Sequence, residues 1–214
     1  MAIDTFLFDL DGTLVDSIPD LTKAINLLRE ELDLPAVTSD QVRSYVGDGV
    51  GLLLQRALPE ELFNQNRRKR FMEIYTEHLT DGTVIYPGII EFLAMHKDKA
   101  MAVVTNKPQH LADILIERLG LSPFFLYVIG AELALLRKPH PDMVHHALKL
   151  LDCDPERTVL LGDHHVDLRA AHAAKVKSCF CHWGLGHSDG LQADFQADRA
   201  TDLPRLFPPG EPLE

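Results

Sequence analysis

The sequence is short of cysteine, tryptophan and positive charge, and each shortage closes off a class of protein. Three cysteines among 214 residues, Cys153, Cys179 and Cys181, form an odd and uneven set. That is no disulfide framework, and it suits a reducing compartment. Cys179 and Cys181 lie one residue apart in a strand-like run, so both face one side, and buried thiols are expected there rather than a metal pair. Lys and Arg number 21 against 32 Asp and Glu, a formal net charge of -11. This disfavours nucleic acid and anionic membranes as partners, and a polyanionic substrate would need a local cation or a metal to reverse the sign. No stretch approaches the roughly 20 apolar residues of a membrane span, and "MAIDTFLFD" has no basic leader of the signal-peptide kind. The expectation is a soluble, cytoplasmic protein. Internal repeats and low-complexity tracts are also lacking.

What is present is an ordinary globular composition, 46% hydrophobic and 25% charged, long enough for one good core plus a modest insertion. Short apolar runs stand at Thr5–Asp9, Met101–Asn106, Leu126–Gly130, Thr158–Asp163 and Lys177–Cys181. They read as strands buried on both faces. Helical patterns fill the intervals, as in "PQHLADILIERLG" between Pro108 and Gly120, "PDMVHHALKLL" and "VDLRAAHAAK". Alternation of this kind predicts a doubly wound, mainly parallel α/β sheet.

One interval breaks the rhythm. From Val15 to about Val84 every pattern is helical, beginning with "DSIPDLTKAINLLREELDL". There Ser17 is the expected cap, and Leu21, Ala24, Ile25, Leu28 and Leu32 form an apolar stripe. Further helices are expected at about Ser39–Tyr45, Asp48–Leu58 and Glu60–Leu79. The reading is a helical domain over 15–84 inserted into a core made of 1–14 and 85–214. Its hinges would lie near Leu14–Asp16 and Thr83–Pro87.

In open parallel sheets ligands collect beyond the C-terminal strand ends. The first strand ends at Asp9 and Asp11, the second at Thr105 and Asn106 and the fourth at Asp163, while Lys138 follows the third. Carboxylates gathered so closely call for a cation, and an all-oxygen set favours hard Mg²⁺. Held by metal and by Lys138, Asp9 is ionised and suited to nucleophilic attack, and Asp11 is placed to shuttle a proton. Gly12 lets the backbone approach an anion, and Thr13 offers a hydroxyl. Phosphoryl transfer suits this set best.

The stretches "DLDGTL", "VVTNKP", "KPHPD" and "GDHHVD", in this order and spacing, resemble the four signature motifs of the haloacid dehalogenase superfamily. The resemblance covers essentially the whole chain, and the helical insertion resembles that family's C1-type cap. Within the superfamily, "YVGDGVGLLLQRAL" and "VVTNKP" most resemble the phosphoglycolate phosphatase branch. The resemblance implies that Asp9 attacks phosphorus and becomes an aspartyl-phosphate. Asp11 would protonate the leaving alcohol and then activate water. Thr105 would bond a phosphoryl oxygen, and Lys138 would neutralise charge. Asp9, Asp163 and the Asp11 carbonyl would ligate Mg²⁺, with Asp167 supporting Lys138 or a metal-bound water. Dehalogenases of the superfamily lack the second Asp, so phosphoester chemistry is expected, on a small phosphorylated metabolite with 2-phosphoglycolate the leading candidate.

His164 departs from the pattern, since phosphatases of this type usually carry Ser or Thr after that Asp. Its ring either crowds the metal shell or contacts substrate; in the simpler case it points away and only its backbone matters. Adjacent histidines on a helix diverge by about 100°, so neither His145-His146 nor His164-His165 is a chelate by itself. The glycine-rich "SYVGDGVG" would lower Gly47, Asp48 and Gly49 over the pocket, with helix amides near an anionic group. Arg43 is a candidate partner for a substrate carboxylate. "RRKR" (Arg67–Arg70) reads as a solvated face. Trp183 and the loop "GLGHSDGL" belong either to the pocket rim or to packing. The rival functions are a phosphosugar mutase of the same superfamily and a catalytically silent relative that binds phosphorylated ligands. A monomer or homodimer is expected, and "FPPGEPLE" reads as a loose tail.

Overall fold

A computed structural model describes residues 3–131 and 134–209. Strand β1 (Thr5–Phe8) leads through the short β2 (Val15–Asp16) into four helices: α1 (Ile18–Glu30), α2 (Ser39–Arg43), α3 (Val50–Ala57) and α4 (Gln65–Glu77). The chain returns through β3 (Val84–Ile85). It then alternates: α5 (Ile89–Met95), β4 (Ala100–Pro108), α6 (Gln109–Arg118), β5 (Tyr127–Ala131), α7 (Asp142–Leu151), β6 (Thr158–Gly162), α8 (His165–Ala174) and β7 (Lys177–Cys181). A last strand, β8 (Phe195–Ala197), precedes the one-turn α9 (Leu203–Leu206).

Six strands form one sheet in the order β5-β4-β1-β6-β7-β8, and every neighbouring pair is parallel. Side chains alternate across the pleat, so consecutive residues serve opposite layers. Phe6, Phe8, Met101, Val103, Val159 and Leu161 face Phe92 of α5 and Leu111 and Leu115 of α6. Leu7, Ala102, Val104 and Leu160 face Met143, Val144 and Ala147 of α7 and the alanines of α8. This is why the strands read as unbroken apolar runs, and it gives the doubly wound α/β architecture.

Strand β8 was not legible in the sequence. Its three residues pair only with β7 at the sheet edge, where an apolar run is not required. Phe207 corrects the reading of a loose tail. It is buried, with its ring 5.6 Å from Phe6 and 4.9 Å from Phe195; residues 210–214 lie outside the described residues.

The helical segment leaves and rejoins the sheet side by side. β2 and β3 pair antiparallel, Val15 opposite Ile85 and Asp16 opposite Val84. Leu21, Ala24, Ile25 and Leu28 of α1 are buried, and α1 packs against α4 and α2. The expected Ser17 cap takes a different form. The Ser17 side chain makes no cap bond, and Asp16 Oδ1 accepts the Ile18 N–H at 3.1 Å. Asp20, also buried, binds across to the other tether: its carboxylate accepts from the N–H groups of Gly82 and Thr83 at 2.7 and 2.8 Å and from Thr83 Oγ1 at 2.6 Å. The expected helix Glu60–Leu79 is divided, because Asn64 accepts the Arg67 N–H and starts α4 afresh.

Candidate active site

Asp9 and Asp163 directly follow β1 and β6, and Thr105 lies in the irregular stretch of β4 between Val104 and Pro108, so all three come to one edge of the sheet. Lys138, after β5, is buried among them. Its ammonium lies 2.9 Å from Asp9 Oδ1 and 2.6 Å from Asp167 Oδ1, and donates to the Val104 carbonyl at 2.7 Å. Burial alone would depress the Lys138 pKa, but the two carboxylates outweigh it and hold the group charged.

Asp163 is clasped from three sides. Thr13 Oγ1 donates to Oδ1 at 3.0 Å, and the N–H groups of Leu185 and Gly186 donate to Oδ2 at 2.8 and 3.0 Å. Thr13, expected to offer its hydroxyl to substrate, is fully buried and spends it on this carboxylate. Gly12 has φ +89°, and a Cβ there would stand 2.3 Å from Asp163 Oδ2. Only glycine permits that approach.

Oxygens of Asp9, Asp163 and Asp167 lie within 4.8 Å of one another. Lys138 is paired with Asp9 and Asp167, and burial dominates the titration of Asp9 and Asp163. Burial, offset in part by Lys138 and reinforced by Asp167, raises Asp9 to about 6. Burial, with Asp9 and Asp167 adding to it, raises Asp163 to about 7. An all-oxygen donor set short of positive charge fits a hard divalent cation.

The sign of the pH dependence follows. An unfolded Asp titrates near 3.9, so these raised groups stabilise the metal-free fold at acid pH, and that contribution is lost as pH rises through 6 to 7. In chelator, calorimetry should find a higher midpoint at pH 5 than at pH 8. Added Mg²⁺ should raise the midpoint by several degrees at pH 8 and by much less at pH 5, because binding must then displace protons. A metal shift equal at both pH values would contradict the assignment of the cation to these carboxylates.

Asp11 stands apart from that cluster. Lys107 Nζ lies 3.0 and 3.2 Å from its two oxygens and donates to Tyr75 Oη of α4 at 2.6 Å. Burial pushes the Tyr75 phenol up to about 12 and would lower Lys107; Asp11 and Tyr75 outweigh that and raise it. Lys107 and Tyr75 escaped the sequence reading. The available signal was a lysine ending a buried strand in "VVTNKP", which has no structural reason to be there without a partner.

A cavity of about 50 Å³ is lined by Asp9, Asp11, Thr105, Asn106 and Lys107 on the sheet side and by Leu21, Val46, Gly47, Gly49, Val50, Leu53 and Tyr75 on the helical side. Asn106 joins the two sides, its amide nitrogen donating to the carbonyls of Gly47 at 3.2 Å and Lys138 at 2.9 Å. Arg43 and Asp48 are placed elsewhere. Asp48 is paired with Arg56 at 2.6 Å, and both Arg43 and Asp48 line a neighbouring cavity with His164. The His164 ring is wedged between Gly47 and Gly186, where added Cβ atoms would meet it at 2.7 and 2.3 Å, and the His164 backbone N–H donates to Asp167 Oδ2 at 3.1 Å. Burial, helped by His165, lowers its pKa to about 4. Trp183 belongs to the packing beside the site, its indole N–H donating to the Thr13 carbonyl at 3.1 Å. Among the described residues no helix is long and apolar enough to cross a membrane.

Fold and site together define an α/β protein whose Asp9, Asp11 and Lys107 share a cavity with residues of the helical segment. The chain belongs to the haloacid dehalogenase-like hydrolase family, whose sequence model matches residues 6–181. It is 34% identical to a phosphoglycolate phosphatase of Chromobacterium violaceum over 97% of this chain and 98% of that one. It is 35% identical to a phosphoglycolate phosphatase of Nitrosococcus oceani over 93% and 92%. The crystal structure of a predicted phosphoglycolate phosphatase from Haemophilus somnus 129pt superposes with a TM-score of 0.86 at 26% identity, covering 95% of this chain and 97% of that chain.

Proposed function

We propose that the protein is a Mg²⁺-dependent phosphomonoester hydrolase of the cytoplasm acting on 2-phosphoglycolate. The observation that carries this reading is the pair Asp9 and Asp11 at one cavity, the first held by Lys138 and the second by Lys107. The names of the relatives support the substrate.

Asp9 attacks phosphorus, the bond to the ester oxygen breaks, and Asp11 protonates the departing alcohol. Asp11 then takes a proton from water, which attacks the phosphorus of the aspartyl-phosphate. Inorganic phosphate leaves and Asp9 is restored. Thr105 stands at the cavity wall to bond a phosphoryl oxygen, and Lys138 balances charge on Asp9 and on the group transferred to it. Asp9, Asp163 and the Asp11 carbonyl would hold the metal, with Asp167 behind Lys138; the ion supplies charge neutralisation at the phosphoryl oxygens. Residues 15–84 serve as a cap, with Gly47 and Gly49 over the cavity and Leu21, Val50, Leu53 and Tyr75 shielding it from bulk water.

The test is phosphate release from 2-phosphoglycolate beside a panel of sugar phosphates and nucleotides, with Mg²⁺ and with chelator. The expected result is metal-dependent release favouring 2-phosphoglycolate by at least about tenfold in kcat/KM, near 1.4 kcal/mol. Equal turnover across the panel would remove the substrate assignment and keep the reaction. No release from any compound would remove both.

A further inference from the structure

His164, His165 and His187 converge beside the reaction centre without belonging to it. His164 precedes α8 in extended backbone, φ -125° and ψ 153°, so it escapes the divergence that two helical neighbours would show. Its ring centroid lies 4.2 Å from that of His165. His187 arrives from the loop after β7, its carbonyl accepting the His165 N–H at 2.8 Å. Its ring lies 5.2 and 5.3 Å from the other two.

One ring nitrogen from each histidine lies within 4.8 Å of the others. Nδ1 of His164 and Nδ1 of His165 are shielded from solvent and have no hydrogen-bond partner, and the His164 residue is 7% exposed. Buried polar atoms are almost always partnered, so two vacant imidazole nitrogens side by side need a reason. The three residues line a cavity of about 260 Å³ together with Arg43, Asp48 and Arg56. Asp48 neutralises Arg56, and Arg169, on the α8 side, is paired with Asp189 at 2.6 Å.

We propose that His164, His165 and His187 form a second metal site, which takes a borderline divalent transition ion of the Zn²⁺ class and is separate from the carboxylate site. Imidazole nitrogen selects such ions, whereas the all-oxygen cluster of Asp9, Asp163 and Asp167 selects a hard one. Three nitrogens around Zn²⁺ at about 2.0–2.1 Å stand roughly 3.4 Å apart. The present spacing is within 4.8 Å, so the rings must draw together on binding, and the exposed His187 is the one free to move.

The experiment is calorimetric titration of Zn²⁺ into the full chain held in saturating Mg²⁺, for the protein and for H187A and H187Q. His187 is exposed and its one hydrogen bond is through its backbone carbonyl, so both variants should keep their structure, which their thermal midpoints check. One equivalent of Zn²⁺ is expected in the unaltered protein, with affinity at least about tenfold weaker in both variants. Ring-proton NMR should show three of the eleven histidines shifting on addition of Zn²⁺. Absence of binding under Mg²⁺ would overturn the site, and so would equal binding by H187A, since the ion would then sit on other ligands.

Discussion

Asp9→Asn should lower phosphate release by about 10⁴-fold or more, the scale seen when a covalent nucleophile is removed. The substitution is nearly isosteric and takes one charge from a site that holds too many of one sign, so folding should be preserved. Without metal at pH 8 the variant should be at least as stable as the parent, because the carboxylate it loses is raised to about 6 by burial. Acid-quenched turnover mixtures of the parent, reduced with borohydride, should carry homoserine at position 9 in place of Asp9; the variant should carry none. Turnover within tenfold of the parent would place the nucleophile elsewhere, or leave water to attack phosphorus directly.

Lys138→Met tests the electrostatic frame in which that nucleophile sits. The ammonium has three acceptors within reach: Asp9, Asp167 and the Val104 carbonyl. Its side chain is fully buried. Methionine fills similar volume but leaves two carboxylates enclosed without a counter-charge, which costs about 3–5 kcal/mol when one partner of a buried pair is removed. For a chain of this size the thermal midpoint should fall by roughly 6–20 °C. The deficit should be largest at pH 8 in chelator and smaller at pH 5, where Asp9 binds a proton. Turnover should fall by about 10²-fold or more, since charge on the transferred group is no longer balanced. A midpoint change under about 2 °C at pH 8 would mean that Lys138 is not the principal counter-ion.

The groups named by both substitutions were legible in the sequence because strand-end logic is local. An apolar run that stops at Asp9 or Asp163 states where the strand ends, and a parallel sheet sends those ends to one edge; at Thr105 the run stops where β4 becomes irregular before continuing to Pro108. Groups whose roles arise from distant partners were not legible. Thr13 reads as a free hydroxyl until Asp163, 150 residues away, is brought to it. The amides of Leu185 and Gly186 carry no side-chain signal at all. Asp48 sits in the expected glycine-rich segment and Arg43 just before it, but Asp48 is turned onto Arg56, eight residues further on, and both line the cavity of the histidines, whereas Gly47 and Gly49 line that of Asp9 and Asp11. Ser17 and β8 show the same limit from the side of local structure. Asp16 was equally placed to cap α1, and an edge strand needs only one neighbour.

The two tethers of the helical segment have a consequence for how such a chain could have been assembled. Val15 faces Ile85 and Asp16 faces Val84 across a single antiparallel ribbon. The entry and exit of about sixty-seven residues therefore stand at the separation that a two-residue hairpin turn bridges. A shorter ancestor with a tight turn after Asp16 would place β1 and α5 as they are now. Lengthening that turn costs little closure entropy, about 0.6 kcal/mol for each doubling. The helical segment, about a third of the chain, can thus be lost, lengthened or exchanged as a cassette while the parallel sheet keeps its register.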